Sequence, residues 1–334
     1  VIIITGDLAF SGKDTEYRKA EETLRAIQSV LSSDPIIVAV PGNHDLSRPS
    51  ESDPALYGFS QYLRPEGQVI RKALLRSERE PIDYIERLFQ GYQTFWKRVI
   101  KPQLDRRREV HFTPGLLPGD FTLTIERGGL RLGLAGVNSA FLQQRGDPPN
   151  SEEYFHRKLA VEPVQLSKAQ SIVRWSQGHD AALLLMHHPP DWLNNRDAFE
   201  REIYAPRSFL ACLFGHMHKN RYLEEQYGDG EKRRYLQSAS LFGLEHWGTK
   251  HEERAVGYAW LRLSRTGPEV GRLERWVRQG IIGDSGAWEV DAFSRQGHKT
   301  VEVPLRKQAP RTGVRAAVMA VTDELGRHRQ AVAD

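Results

Sequence analysis

The sequence predicts a mixed α/β fold, parallel in its first part and antiparallel in its last, and three observations predict it. Four short apolar runs each end abruptly in Asp, Asn or His: Val1 to Thr5 before Gly6-Asp7, Ile36 to Val40 before Pro41-Gly42-Asn43-His44-Asp45, Ala181 to Met186 before His187-His188, and Phe209 to Phe214 before Gly215-His216-Met217-His218. Apolar runs of this length suit strands buried on both faces. A helical repeat lies between the first two, with Ala20, Leu24, Ile27, Val30 and Leu31 at helical spacing, so the opening is a βαβ unit with a parallel pair. Beyond His218 the pattern changes to paired strands around short turns. In open α/β sheets ligands bind outside the carboxyl ends of the strands, so the four polar ends predict one shared crevice.

The elements follow in order. After Asp7, Leu8 to Gly12 is a loop and Glu16 to Leu31 a helix. Residues 47–54 are polar and contain Pro49 and Pro54, and helical patterns then run over 56–63, 69–75 and 82–100. Tyr84, Leu88, Tyr92, Phe95, Trp96 and Val99 form a stripe that reads as core, with substrate stacking the less common use of such a stripe. Lys97, Arg98, Lys101 and Arg106 to Arg108 read as a solvated face, the alternative being a rim that attracts phosphate. The block 55–110 is expected to be a helical insertion over one side of the crevice that selects substrate.

Phe121–Ile125 and Leu130–Val137 flank Gly128-Gly129 as a hairpin. Asn138 and Ser139 end the second strand, where a turn role competes with ligand contact. A helix over 163–175 is expected to feed the His187 strand. Strands at 221–226 and 232–240 surround Tyr227-Gly228-Asp229-Gly230, strands at 256–263 and 270–277 surround Thr266-Gly267-Pro268, and a last strand covers 300–305. His246, His251, His298 and His328 belong to no motif and are expected at the surface.

Composition narrows the class. The 334 residues are 39% hydrophobic and carry a formal charge of +4, which mildly favours anionic partners. No apolar run approaches the roughly 18–20 residues that span a bilayer, so no membrane partner is expected. Cys212 is the lone cysteine and lies inside a strand run, where packing is the commoner role than a nucleophile. A single thiol, with no basic-then-apolar leader, makes cytoplasmic localisation the expectation.

Asp, Asn and imidazole together suit borderline divalent ions such as Mn, Fe, Zn or Ni, whereas calcium prefers oxygen alone. A carboxylate can sit between two cations and offset their repulsion, and Asp7 is the candidate bridge. Two metals about 3.5–4 Å apart can hold a phosphate and lower the pKa of a water. His44 is placed to donate a proton to the leaving oxygen, and Asp45 beside it to orient that imidazole. An aspartyl-phosphate mechanism with Asp7 as nucleophile would need a carboxylate two residues later, where Ala9 stands.

Gly6-Asp7 with Gly12, Gly42-Asn43-His44-Asp45, His187 and Gly215-His216-Met217-His218, in that order, resemble the calcineurin-like metallophosphoesterase family. The resemblance covers most of residues 1–245. It implies a two-layer β-sandwich flanked by helices, with two divalent metal ions at one edge. Asp7 would bridge them, Asn43, His187 and His216 would complete one site, His218 would belong to the other, and His44 would be the catalytic histidine. The family's strand-end motif puts the ligand on His187, leaving His188 as support.

The wording Gly6-Asp7-Leu8-Ala9-Phe10-Ser11-Gly12 and the Pro189-Pro190 pair resemble bacterial phosphodiesterase-like members. The expected activity is hydrolysis of phosphodiesters ahead of monoesters, on a phosphorylated small molecule, a nucleotide or nucleic acid. The competing reading is an inactive sensor or scaffold that binds phosphorylated ligands. The family opens with an Asp-x-His motif that this sequence does not contain. Since Val1 already lies in a strand run, the expectation is that the chain starts downstream of that motif. The expected organisation is a metallophosphoesterase domain over 1–305 and a basic tail over 306–334.

Overall fold

The computed structural model describes residues 1–31, 34–146, 154–167, 170–218, 220–226, 232–241, 254–282, 288–290 and 298–306, with Gly228 and Gly230. Strand β1 (Ile2–Ile4), helix α1 (Asp14–Ser29) and strand β2 (Ile37–Ala39) form the expected βαβ unit. β1 and β2 pair in parallel, Ile3 opposite Val38. α1 buries Tyr17, Ala20 and Leu24 on the strands and turns its charged face outward.

Helices α2 (Pro54–Ser60), α3 (Gln68–Leu75), α4 (Arg79–Leu88), α5 (Gln90–Phe95) and α6 (Lys101–Asp105) occupy the block between β2 and the next strand. The expected continuous helix over 82–100 is broken at Phe89 and widens to a π turn over Trp96–Ile100. Pro102 explains the widening, because its ring has no N–H and crowds the carbonyl four residues back; Lys101 N–H bonds instead to the Trp96 carbonyl. The aromatic stripe is core: Tyr84, Leu88, Tyr92 and Phe95 are buried, with Trp96 and Val99 packed against them.

This block is rooted in the sheet. Gln103 accepts from Ile37 N–H and donates to Ile37 C=O, both at 2.9 Å, which satisfies the outer edge of β2. Tyr92 hydroxyl donates to the Ala39 carbonyl at 2.9 Å. Part of the basic run is committed within the chain, since Arg98 reaches Glu21 and Asp14 on α1, and Arg107 reaches Asp34.

A seven-stranded mixed sheet follows, built from β3 (Val110–Pro114), β4 (Phe121–Arg127), β5 (Leu130–Gly136), β6 (Ala181–Leu185), β7 (Ala211–Phe214), β8 (Arg221–Glu225) and β9 (Arg233–Gln237). Its order is β3-β4-β5-β6-β7-β9-β8, with β5, β6, β7 and β9 parallel and the outer pairs antiparallel. The helix expected over 163–175 is corrected. Residues Pro163–Gln165 form one 3-10 turn, and α7 (Ile172–Gln177) starts behind Ser171, whose hydroxyl accepts from Arg174 N–H. Gln165 turns inward, where its amide donates to Asp120 and to the Asn138 carbonyl. α8 (Arg196–Glu202) links β6 to β7.

An antiparallel sheet closes the fold: β10 (Arg254–Arg265), β11 (Val270–Ile282), β12 (Trp288–Val290) and β13 (His298–Pro304), longer than the sequence pattern implied. Leu273, Val303 and Leu305 join the same buried cluster as the strands of the larger sheet, which is the layered α/β architecture expected. The tail from Lys307, Tyr227, Asp229, His246, His251 and His328 lie outside the described residues. Among the described residues no helix is long and apolar enough to cross a membrane.

His179 makes the fold sensitive to acid. It is buried between Thr124 and the Trp175 carbonyl, 2.8 and 2.9 Å away, and burial pushes its imidazole down to about 4 from 6.5. The unfolded chain therefore binds a proton that the folded chain refuses, so this contribution is complete above pH 6.5 and lost as pH falls towards 4. Denaturation of the full chain should show a loss of up to about 3 kcal/mol across that window from this group, and His179→Gln should remove that part of the slope.

Candidate metal centre

The parallel strands bring their carboxyl ends to one edge, and glycines allow the loops there to touch. A Cβ on Gly6, where φ is +106°, would lie 2.2 Å from His187 Nδ1; one on Gly42 would lie 2.1 Å from Asp7 Oδ1; one on Gly215 would lie 2.8 Å from the Thr5 carbonyl. Asp7, His216 and His218 have φ of +57°, +69° and +50°, a region that costs a non-glycine residue about 1–3 kcal/mol. Three of the expected ligands thus sit on strained backbone.

His187 is the hub. Its Nδ1 donates to the Thr5 carbonyl at 2.7 Å, so Nε2 carries the lone pair. Around Nε2 stand Asn43 Oδ1 at 2.9 Å, His216 Nδ1 at 3.2 Å and Asp7 Oδ2 at 3.3 Å, and Asn43 Oδ1 is 3.1 Å from His216 Nδ1. Asn43, His187 and His216 therefore form a triangle of donor atoms with edges of 2.9–3.2 Å, Asp7 at one corner. Donors held ~2.0–2.1 Å from one cation stand about 2.9–3.4 Å apart, so this spacing suits a divalent ion.

Burial pushes the Asp7 carboxyl up, but His187, His44 and His216 outweigh it and hold Asp7 below the usual carboxylate range. Burial pushes His187 down, and the Asp7 charge and hydrogen bond reverse this and raise it. His216 is pushed down to about 3 by burial and then by the His187 charge, so its imidazole is neutral and able to ligate.

His188 lies close to His187 and His216, all three within 4.8 Å of one another, yet both its nitrogens are taken. Ser139 Oγ lies 3.0 Å from Nδ1 and Gln143 Oε1 2.7 Å from Nε2, and the same Ser139 oxygen accepts the N–H groups of His187 and His188. Asn138 makes a turn, its Oδ1 accepting from Ala140 N–H at 2.8 Å. His218 follows in the same loop, half-buried, and its charge is felt at His216.

The expectation that Asp45 orients His44 is corrected. Asp45 is fully buried and its carboxylate points away from that imidazole, accepting from the N–H groups of Gly42, Leu8 and Ala9 and from the Tyr17 hydroxyl at 2.8–3.3 Å. It ties the Asp7 loop to the Asn43 loop. Burial and the Asp7 charge push it up to about 6, against the pull of those donors. His44 is held by Phe10 instead. Its Nδ1 donates to the Phe10 carbonyl at 2.9 Å, the two rings stack at 5.3 Å, and its backbone N–H donates to Asp7 Oδ1 at 3.1 Å.

The Thr5 and Phe10 carbonyls are invisible to motif reading, since any residue supplies one. Trp192, whose ring is 4.2 Å from that of His216, follows the Pro pair without a recognisable signal.

A family model described as calcineurin-like phosphoesterase matches residues 1–220, which include all four strand-end motifs. No curated protein matches the chain.

A cation and a proton compete for His187 Nε2. Divalent-ion affinity should therefore weaken as pH falls, beginning above the ordinary imidazole value of 6.5, and calorimetry in two buffers of different ionisation enthalpy should register proton release on binding. Asp45→Ala would strand four buried donors, so urea denaturation should register a loss of about 3–5 kcal/mol.

Proposed function

The chain belongs to the calcineurin-like phosphoesterase family, whose members bind a dinuclear divalent metal centre, and from that premise we propose that it hydrolyses phosphodiesters. The observation that carries the reading is the triangle of Asn43, His187 and His216 with Asp7 beside it, bordered by His44. Asp7, Asn43, His187 and His216 would hold one ion, and Asp7 with His218 would face a second; Mn, Fe, Zn and Ni all suit these donors. When bound, the ions supply positive charge for the phosphate oxygens and a water that is nucleophilic near neutral pH.

The chain's own residues do the rest. The Thr5 carbonyl fixes the His187 tautomer and ring plane, so its donor atom is aimed before any ion arrives. The Phe10 carbonyl occupies His44 Nδ1, which leaves Nε2 as the atom that holds a proton for the leaving oxygen. Asp45 keeps the two loops in register from beneath, and Trp192 closes the His216 side. Diesters are placed ahead of monoesters because the Gly6 to Gly12 wording and the Pro189-Pro190 pair resemble phosphodiesterase-like members. The substrate class is a phosphorylated small molecule, a nucleotide or nucleic acid, met in the cytoplasm.

The test compares bis(p-nitrophenyl) phosphate with p-nitrophenyl phosphate, using the full chain equilibrated with manganese. Faster turnover of the diester supports the proposal, and faster turnover of the monoester reverses the preference. His187→Ala should lose bound metal and turnover together. His44→Ala should keep its metal while turnover of an alkyl diester, whose alkoxide needs a proton, falls about 10²–10⁴-fold. A chain that binds phosphate ligands yet turns over neither ester would be a sensor and would overturn the proposal.

A further inference from the structure

His44 is held from outside the metal triangle, and the holding group traces back to one carboxylate. Its imidazole meets the carbonyl and ring of Phe10. The Phe10 ring is 68% exposed, so packing does not set the position of that residue. Its backbone is set by Glu16.

Glu16 Oε2 accepts from the N–H groups of Phe10, Ser11 and Lys13 at 3.2, 2.8 and 3.2 Å, and Oε1 accepts from the Ser11 hydroxyl at 2.8 Å. A capping box at a helix start asks this third-position glutamate for one backbone donor; here the side chain gathers four donors of the loop. Gly12, with φ of +71°, lays that loop on Leu46 so closely that a Cβ would lie 2.7 Å from the Leu46 carbonyl carbon. The loop therefore has no room to shift towards Leu46.

The neighbouring residue completes a circuit. Tyr17 is fully buried, and its hydroxyl meets the carbonyl and carboxylate of Asp45 at 2.9 and 3.0 Å. Two consecutive residues of α1 thus act on two consecutive residues of the Asn43 loop. Tyr17 fixes Asp45, and Glu16 fixes, through Phe10, the ring of His44.

We propose that Glu16 is a positioning residue for His44: it holds the Phe10 carbonyl against the Nδ1–H, so the neutral imidazole keeps one tautomer with Nε2 facing the substrate. The proton given to the leaving alkoxide is the one that Nε2 bears in the imidazolium, while Nδ1–H stays on Phe10. The proposal rests on the phosphoesterase reading for its catalytic consequence, while the tautomer itself is independent of activity. Without Glu16, four donors turn to water, the loop loosens, and either nitrogen of His44 can carry the proton.

The test uses the full chain with Glu16→Ala and Glu16→Gln, and with Asp14→Asn as a control that removes a charge from the same helix turn. Nitrogen-resolved NMR of the zinc-equilibrated protein, with His44→Ala to assign the signal, should show a single Nδ1–H tautomer in the parent and in Asp14→Asn. Glu16→Ala should show a mixture. Kinetics with two diesters then separate positioning from general damage, because a nitrophenolate leaves without a proton whereas an alkoxide needs one.

Glu16→Ala should lower kcat about tenfold or more on the alkyl ester, with less than about a threefold change on the nitrophenyl ester and unchanged metal content and KM. Glu16→Gln, which keeps one accepting oxygen, should recover most of the loss; should the alanine variant not fold, the glutamine variant alone should show a smaller shift of the same kind. An unchanged tautomer, or equal losses on both esters, overturns the proposal. If the parent turns over no ester, the phosphoesterase reading fails and the NMR result alone decides the positioning role.

Discussion

The hydrogen bond from His187 Nδ1 to the Thr5 carbonyl is the contact on which the candidate centre depends. It joins the β1–β2 pair, which carries Asp7 and Asn43, to the seven-stranded sheet, which carries His187 and His216. Among the described residues no ladder hydrogen bond links those two sheets. The strand ends therefore meet through side chains, and one imidazole both bridges them and offers its second nitrogen as a donor. The approach is possible because Gly6, Gly42 and Gly215 carry no Cβ where another residue would collide.

Around that contact the structure buries a large amount of polarity and satisfies it locally. Asp45 collects donors from two loops, Ser139 collects two N–H groups and faces His188, and the Asp120 carboxylate takes the N–H groups of Leu117 and Asn138. Each of these side chains sits at or near a strand end, where a sheet leaves backbone donors without partners. An unmet buried donor costs about 1–3 kcal/mol, so these polar side chains keep the edge compact while the backbone there departs from strand geometry. The strained φ values of Asp7 and His216 persist because their surroundings are fixed on every side.

The helical block between β2 and β3 shows how function and stability share residues. Its aromatic face belongs to the core, and Gln103 and Tyr92 complete the hydrogen bonding of β2. Arg98 grips α1, the helix that also supplies Glu16 and Tyr17. The geometry of His44 is thus supported through α1 by the block that the sequence suggested as a cover for the crevice.

Much of this was legible in advance, because burial and periodicity are properties of composition along the chain. Continuous apolar runs read as strands covered on both faces, as β2, β6 and β7 are, although β1 is only half-buried. Parallel strands share one edge for their ends, and Asp, Asn and His at four such ends announce a polar site there. The fold class, the βαβ opening and the gathering of Asp7, Asn43, His187 and His216 follow from that logic. The direction of each side chain does not. Whether Asp45 faces His44 or the loop beneath, whether His187 or His188 has a free nitrogen, and which carbonyl fixes an imidazole depend on backbone angles set by contacts distant in sequence. Glu16 reads as one more charge on a helix start, and only the folding of Phe10 across His44 gives its carboxylate a part in the site.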